Sequence, residues 1–329
     1  MIITKTPYRI SFFGGGTDLS EWLDQGNDGL ILSTSIDRYC YVTIRDLPKI
    51  LDYKYSLRYY KNEYTNDIKN IKHNSIRSCL GYLEFHNKPI ELVHHGELPS
   101  RSGLGSSSTF TVGLLNALYK INNYKINKKK LAQDAIYIEQ KVLNESVGIQ
   151  DHIAASFGGF NIISMKKNNQ FNLSVIKKKD LIKKIETNLI LIFTGLHRNS
   201  EPLEKIKLAK IKKGNSHQHF NNILDITKEA IIEAKSDNFS IKNFGKLLSE
   251  NWHHKKLIHK SITNDKIDEI YDKVMGLGAY GGKLLGSGNG GFLLFLCPSN
   301  KIKKIEEIFK DRVLKDIKFE TKGSHIIYP

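Results

Sequence analysis

Cysteine is scarce: the 329 residues contain three, at positions 40, 79 and 297. An odd number of thiols so widely spaced excludes a disulfide framework and offers no zinc-ligand spacing, so Cys40, Cys79 and Cys297 read as reduced packing residues. Long apolar runs are missing too. The longest uninterrupted one, 292–297, falls far short of the roughly 20 residues that cross a bilayer, which excludes a transmembrane helix. The opening residues, MIITKTP, lack the basic-then-apolar layout of a secretion signal, so the expected location is the cytoplasm. Carboxylates are in deficit: 34 Asp and Glu against 50 Lys and Arg leave a formal charge of +16. Such an excess can serve phosphate-backbone binding. Here it is mainly scattered lysine with short runs at 128–130, 177–179 and 212–213, and no helix-turn-helix, zinc-finger or aromatic RNA-binding pattern accompanies it. Nucleic acid is therefore not an expected partner, whereas small anionic substrates are. Also absent are a P-loop pattern, G-x-x-x-x-G-K-S/T, and any internal repeat.

What the chain does have is glycine and hydroxyl groups in three clusters. Residues 98–108, LPSRSGLGSSS, lie between a strand-like stretch at 90–93 and a helical one in which Val112, Leu115, Leu118 and Tyr119 recur at helical spacing. The cluster is thus a helix N-terminus. Its free N–H groups and the positive end of the helix dipole suit an anion, and glycines let phosphate oxygens approach the backbone. A plain capped helix start would use the same residue types.

The first cluster, Gly14-Gly15-Gly16-Thr17-Asp18, ends a strand at 2–13; it reads either as a capped turn or as a cavity wall where Asp18 accepts hydrogen bonds and Arg9 supplies a cation. Strands are expected at 31–36 and 39–44, and helices at 67–85 and after Asn127, the latter with Glu139 at the border of its apolar face. Asp151 falls near a helix start within the run 146–159. The polar segment 177–187 is the expected domain boundary, giving domains 1–185 and 186–329. Beyond it come a strand at 189–193, helices near 201–213, 219–235, 240–259, 264–277 and 301–312, and a strand near Ile317. The third cluster, 281–291, contains a formal G-x-G-x-x-G at Gly286, Gly288 and Gly291, but the strand-like run that follows it excludes a dinucleotide fold, which needs a helix there.

Three glycine-rich elements in this order, with Gln150-Asp151 between the second and third, resemble the GHMP kinase superfamily. Within it, residues 7–19, 148–152 and 194–198 are most similar to the D-glycero-D-manno-heptose 7-phosphate kinases of bacterial surface-polysaccharide synthesis. The resemblance implies an α+β fold of two domains, S5-like then ferredoxin-like, with the site in the cleft between them. It implies ATP as phosphate donor, held by Ser102, Gly103, Leu104, Gly105, Ser106, Ser107 and Ser108, and Mg²⁺ on Ser107 and Glu139. It assigns catalysis to Asp151 with Arg9 beside it, and substrate binding to Gly15, Gly16, Thr17 and Asp18. Gly15 and Gly16 stand where galactokinases carry Glu and His, which leaves room for a bulkier sugar.

Chemistry supports these roles. Phosphoryl transfer is mostly positioning and charge neutralisation, with one group to take the hydroxyl proton. A hydroxyl and a carboxylate suit a hard cation, and an adjacent guanidinium keeps a carboxylate ionised. A phosphorylated substrate needs a further cation, for which Arg198 is the first choice and Lys283 the second; the turn around Gly288 can add only shape and N–H groups. The expected activity is phosphorylation of the anomeric hydroxyl of a heptose 7-phosphate. Alternatives are a kinase of an unphosphorylated sugar or a non-catalytic sugar sensor.

Overall fold

In the computed structural model, which describes residues 1–196 and 216–328, the chain opens with β1 (Ile2–Phe13), a short helix α1 (Ser20–Leu23) and the 18-residue β2 (Gly29–Asp46). The stretches 31–36 and 39–44 therefore form one strand rather than two. The irregularity falls on β1 instead: its register against β2 shifts between Pro7 and Arg9. Proline has no N–H for the ladder, so a bulge forms there and re-aims the next side chains.

β3 (Tyr55–Arg58), β4 (Asn62–Thr65), α2 (Asn74–Tyr82) and β5 (Ile90–Gly96) follow, then the helices α3 (Ser106–Ile121), α4 (Lys128–Tyr137) and α5 (Gln150–Phe157). The expected helix over 67–85 is shorter, bounded by single-turn segments at 68–70 and 85–87, because Glu84 adopts a left-handed φ of 56°. β6 (Phe160–Lys166) and β7 (Gln170–Ile176) belong to a mostly antiparallel eight-stranded sheet in which β12 (His325–Tyr328), β1, β2, β5, β3 and β4 lie in that order, with β6 on the other half of β2 and β7 outside it.

The polar stretch at 177–187 is largely α6 (Lys179–Glu186), an amphipathic helix that buries Leu181 and Ile185. β8 (Leu189–Phe193) begins a second sheet, in which β11 (Val313–Leu314), β8, β10 (Phe292–Leu296) and β9 (Gly281–Leu284) lie in that order. α7 (His217–Lys235), α8 (Ile241–Ile258), α9 (Asp265–Gly276), β9 (Gly281–Leu284), β10 (Phe292–Leu296) and α10 (Ser299–Phe309) follow. The helix expected at 201–213 lies outside the described residues. The end of the chain differs from expectation. Ile317 is buried but not in a strand, while β11 (Val313–Leu314) joins the second sheet and β12 (His325–Tyr328) returns to pair with β1. Among the described residues no helix is long and apolar enough to cross a membrane.

Two apolar clusters fill the interior. One joins Phe12, Leu32, Leu115 and Leu118 to Phe244, Leu285 and Leu294; the other joins Trp22, Ile149 and Ile153 to Ile192, Trp252 and Leu293. Both contain side chains from before and after residue 185.

Candidate active site

The glycine loop ends at Gly105, φ 77°, just before α3, and no side chain caps that helix. Its first-turn N–H groups have no intrahelical acceptor and lie at the positive end of the dipole. A Cβ on Gly105 would sit 3.2 Å from Arg9 Cγ and 3.3 Å from Asp151 Oδ2, and one on Gly103 would come 2.7 Å from the Leu285 carbonyl oxygen. Both positions combine close approach with positive φ, so glycine is required. The third glycine cluster braces the 98–108 loop from behind. Phe292 N–H donates to Ser102 O at 3.0 Å, and a Cβ on Gly291 would meet that same oxygen at 2.2 Å. Gly288, expected near substrate, packs on Ile262, whose carbonyl oxygen is 2.8 Å from the position of a Cβ. Buried Ser102 Oγ has no partner, Ser106 Oγ accepts from Arg101 N–H, and the Leu104 carbonyl accepts from Arg9 N–H. A cradle of N–H groups with an orphaned hydroxyl fits a polyphosphate.

Arg9 follows the β1 bulge and is nearly buried. Its Nε donates to Asp151 Oδ1 at 2.6 Å and one Nη to Asp151 Oδ2 at 2.8 Å, while the other Nη reaches Gly103 O at 2.6 Å. One guanidinium thus ties the first turn of α5 to the glycine loop, with the two parallel bonds that arginine makes to carboxylates. Asp151 remains 20% exposed at its side chain.

Glu139 does not stand at the border of a helical face. After α4 the helix widens into a π-turn over Ile138–Val142, closed by Leu143 N–H to Ile138 O. Such a turn rotates side chains out of helical register and recurs at functional sites; here Glu139 is fully buried. Its Oε1 accepts from Thr111 at 2.8 Å and from Ser107 at 3.3 Å; its Oε2 accepts from Ser108 at 2.9 Å and pairs with His152 Nε2 at 2.8 Å. Burial alone pushes the Glu139 carboxyl up and the His152 ring down, but each holds the other charged, so Glu139 titrates below and His152 above the ordinary value. Ser107 is the exposed hydroxyl of this set. With Glu139 it forms the all-oxygen donor pair that suits a hard cation.

Beside Asp151 lies a cavity lined also by Ser11, Gly15, Gly16, Asp18 and Gln150. Asp18 accepts from Gly16 N–H and from the Gln150 side-chain amide. Burial and then the neighbouring Asp151 raise its pKa above the usual carboxylate range. A Cβ on Gly148 would lie 1.9 Å from Asp18 Oδ2, so that glycine makes room for the carboxylate. Thr17, expected to contact sugar, instead pins the turn: its hydroxyl donates to Gly14 O at 2.9 Å and accepts from Leu30 N–H. Lys283 does line the cavity, buried, donating to Phe12 O at 2.7 Å; burial and then the Arg9 charge push its pKa down to about 7. Arg198 lies outside the described residues.

Three cavity residues carried no assigned role in the sequence reading. Ser11 Oγ and Gln150 Oε1 are buried atoms without partners, and Lys255 on α8 is buried with its ammonium on Gly286 O. The signal for Lys255 was available: Leu248, Trp252, Lys255 and Ile258 fall on one buried stripe at helical spacing, where lysine is out of place.

A glycine-rich helix N-terminus, a clamped carboxylate and a polar cavity thus lie in contact. Models of the GHMP kinase N-terminal and C-terminal domains match residues 73–159 and 228–315. The chain belongs to the GHMP kinases. It is 32% identical to the D-glycero-alpha-D-manno-heptose 7-phosphate kinase of Campylobacter jejuni over 98% of this chain and 97% of that one. A galactokinase from Pyrococcus furiosus is 25% identical over 99% and 97% of the two chains. In fold, the crystal structure of a D-glycero-D-manno-heptose 1-phosphate kinase from Bacteroides thetaiotaomicron superposes over the whole of both chains with a TM-score of 0.74 at 24% identity. This GHMP kinase is an ATP-dependent sugar kinase of two-domain α+β fold.

Proposed function

We propose that this kinase transfers the γ-phosphoryl group of ATP to the anomeric hydroxyl of D-glycero-D-manno-heptose 7-phosphate, giving the 1,7-bisphosphate for nucleotide-heptose synthesis in the cytoplasm. The observation that carries the reading is Asp151, clamped by Arg9 between the glycine loop and the Asp18 cavity. The Campylobacter relative supports the substrate. So does the room left in the cavity by Gly15 and Gly16.

In this mechanism residues 102–108 hold the ATP phosphates through backbone N–H groups, and Asp18, Gln150 and Ser11 orient the sugar hydroxyls. Asp151 accepts the anomeric proton as that oxygen attacks the γ-phosphorus, ADP leaves, and Arg9 keeps the carboxylate aimed throughout. Ser107 and Glu139 would hold Mg²⁺, which would supply neutralisation of phosphate charge. The hydroxyls of Ser108 and Thr111 and the His152 ring fix the Glu139 carboxylate in one orientation.

The position of transfer is tested on the product. An anomeric phosphate hydrolyses in mild acid whereas a primary phosphate survives, so ³¹P spectra before and after brief acid treatment should show one of two phosphate signals lost. Two acid-stable phosphates would overturn anomeric transfer; a product with one phosphate, formed from free heptose alone, would move the substrate to an unphosphorylated sugar.

A further inference from the structure

Gly15 and Gly16 line the cavity side by side but differ in what stands next to them. Among the described residues, a Cβ on Gly15 would meet Ser11 Oγ alone, at an ordinary contact distance of 3.6 Å, so space is open there. A Cβ on Gly16 would lie 3.0 Å from Phe220 Cε1 and 3.6 Å from Phe220 Cζ. The room made by the glycine turn therefore ends at the edge of one aromatic ring. That ring comes from the second half of the chain, in the first turn of α7, and it lines the same cavity.

Phe220 is 2% exposed, and its ring stacks on Trp22 with centroids 5.0 Å apart and planes 22° from parallel. Trp22 is buried in turn. Its Nε1–H donates to Asp28 O at 2.9 Å, and the His217 ring meets it in a T-shaped contact at 5.2 Å. Close-packed rings of this kind resist displacement even by one methyl group. Gly16 also holds the polar side of the cavity: its N–H donates to Asp18 Oδ1 at 3.1 Å. The carboxylate and the ring edge are thus placed against the same residue. A free hydroxyl can donate to that carboxylate, whereas a methyl or acyl group in place of its hydrogen removes the donor and needs volume that Phe220 occupies.

We propose that Phe220 is a specificity-determining residue, a wall that restricts the acceptor to sugars whose group at Asp18 is a free hydroxyl and excludes O-alkylated or N-acylated sugars substituted there. The proposal rests on the reading of this cavity as the sugar site with Asp18 as hydroxyl acceptor; it does not depend on which sugar the enzyme takes.

The experiment compares Phe220→Ala and Phe220→Leu with the wild-type enzyme, using the sugar of highest turnover on a panel and its mono-O-methyl ethers at each hydroxyl other than the one phosphorylated. A methyl group in a fitted pocket changes kcat/KM by about 10–200-fold. At one ring position, kcat/KM of the ether relative to the parent sugar should rise about tenfold or more in Phe220→Ala and less in Phe220→Leu, with KM for ATP within about twofold of wild type. A ring that served packing alone would depress parent and ethers in proportion. Unchanged ratios at every position, or an equal rise at all of them, overturn the wall. The wild-type enzyme gives a reading that needs no variant to fold. At that position the methyl ether should fail to compete with the parent sugar, while the deoxy sugar, which loses the same hydrogen bond without adding bulk, still competes; equal competition by ether and deoxy sugar at every position refutes the proposal. If the ratio shifts on a sugar other than heptose 7-phosphate, the wall stands and the sugar assignment falls. If heptose 7-phosphate turns over and no ratio shifts, the wall alone falls.

Discussion

A carboxylate gripped by two N–H groups of one guanidinium has a single orientation, and Asp151 is held in this way while its edge stays open to the cavity. Asp151→Asn preserves the shape but removes the proton acceptor, so turnover should fall by about 10²–10⁴-fold with ATP affinity retained. Steady-state kinetics beside nucleotide titration checks this, and near-normal turnover would remove Asp151 as the base. Lys283 makes a separate statement about pH. In the folded chain it releases its proton near pH 7, whereas the unfolded chain keeps it to about 10.5. Over that window the unfolded state binds more protons, so this lysine makes stability rise with pH. Relative to Lys283→Met, the wild-type enzyme should gain up to about 1.4 kcal/mol of unfolding free energy per pH unit between about pH 7.5 and 9.5. Parallel urea-melt curves across that range would show that the ammonium is not desolvated as described.

At the scale of elements, the glycine loop is shaped by contacts it receives from behind. Gly291→Ala touches no cavity atom, yet its methyl group would drive into Ser102 O and displace the loop. KM for ATP should rise about tenfold or more, since small misplacements of a positioning element are costly. Unchanged ATP kinetics would detach the third glycine cluster from the nucleotide site. The loop itself was legible in sequence because glycines, serines and a following helical period are local signals. Its brace was not, since Ser102 and Gly291 meet across 189 residues. Glu139 shows a different limit. A strict helical period puts it at a face border, and the π-turn that buries it has no signature of its own in residues 138–142. Thr17 and Gly288 were legible as special positions, but a hydroxyl in a turn and a glycine in a loop look the same whether they face a ligand or the backbone of Gly14 or Ile262.

For the whole molecule, the apolar clusters cross residue 185, α6 packs into the first of them, and β12 carries the end of the chain back to β1. Thermal unfolding should therefore proceed as one cooperative transition, with calorimetric and van't Hoff enthalpies in agreement; two separated transitions would show halves that stand independently. The same interlocking builds the cavity, since Arg9, Asp18 and Asp151 come from the first half and Lys255 and Lys283 from the second. The fold class was legible from three glycine clusters in order, whereas among 50 basic residues it is burial that sets Arg9, Lys255 and Lys283 apart in the described part of the chain. The most direct measurement is ADP release with Mg-ATP against a panel pairing each free sugar with its terminal phosphate, including D-glycero-D-manno-heptose 7-phosphate, with galactose and mevalonate alongside. Saturable turnover with the phosphorylated heptose and little with free heptose is the expected result; turnover confined to unphosphorylated acceptors would contradict it.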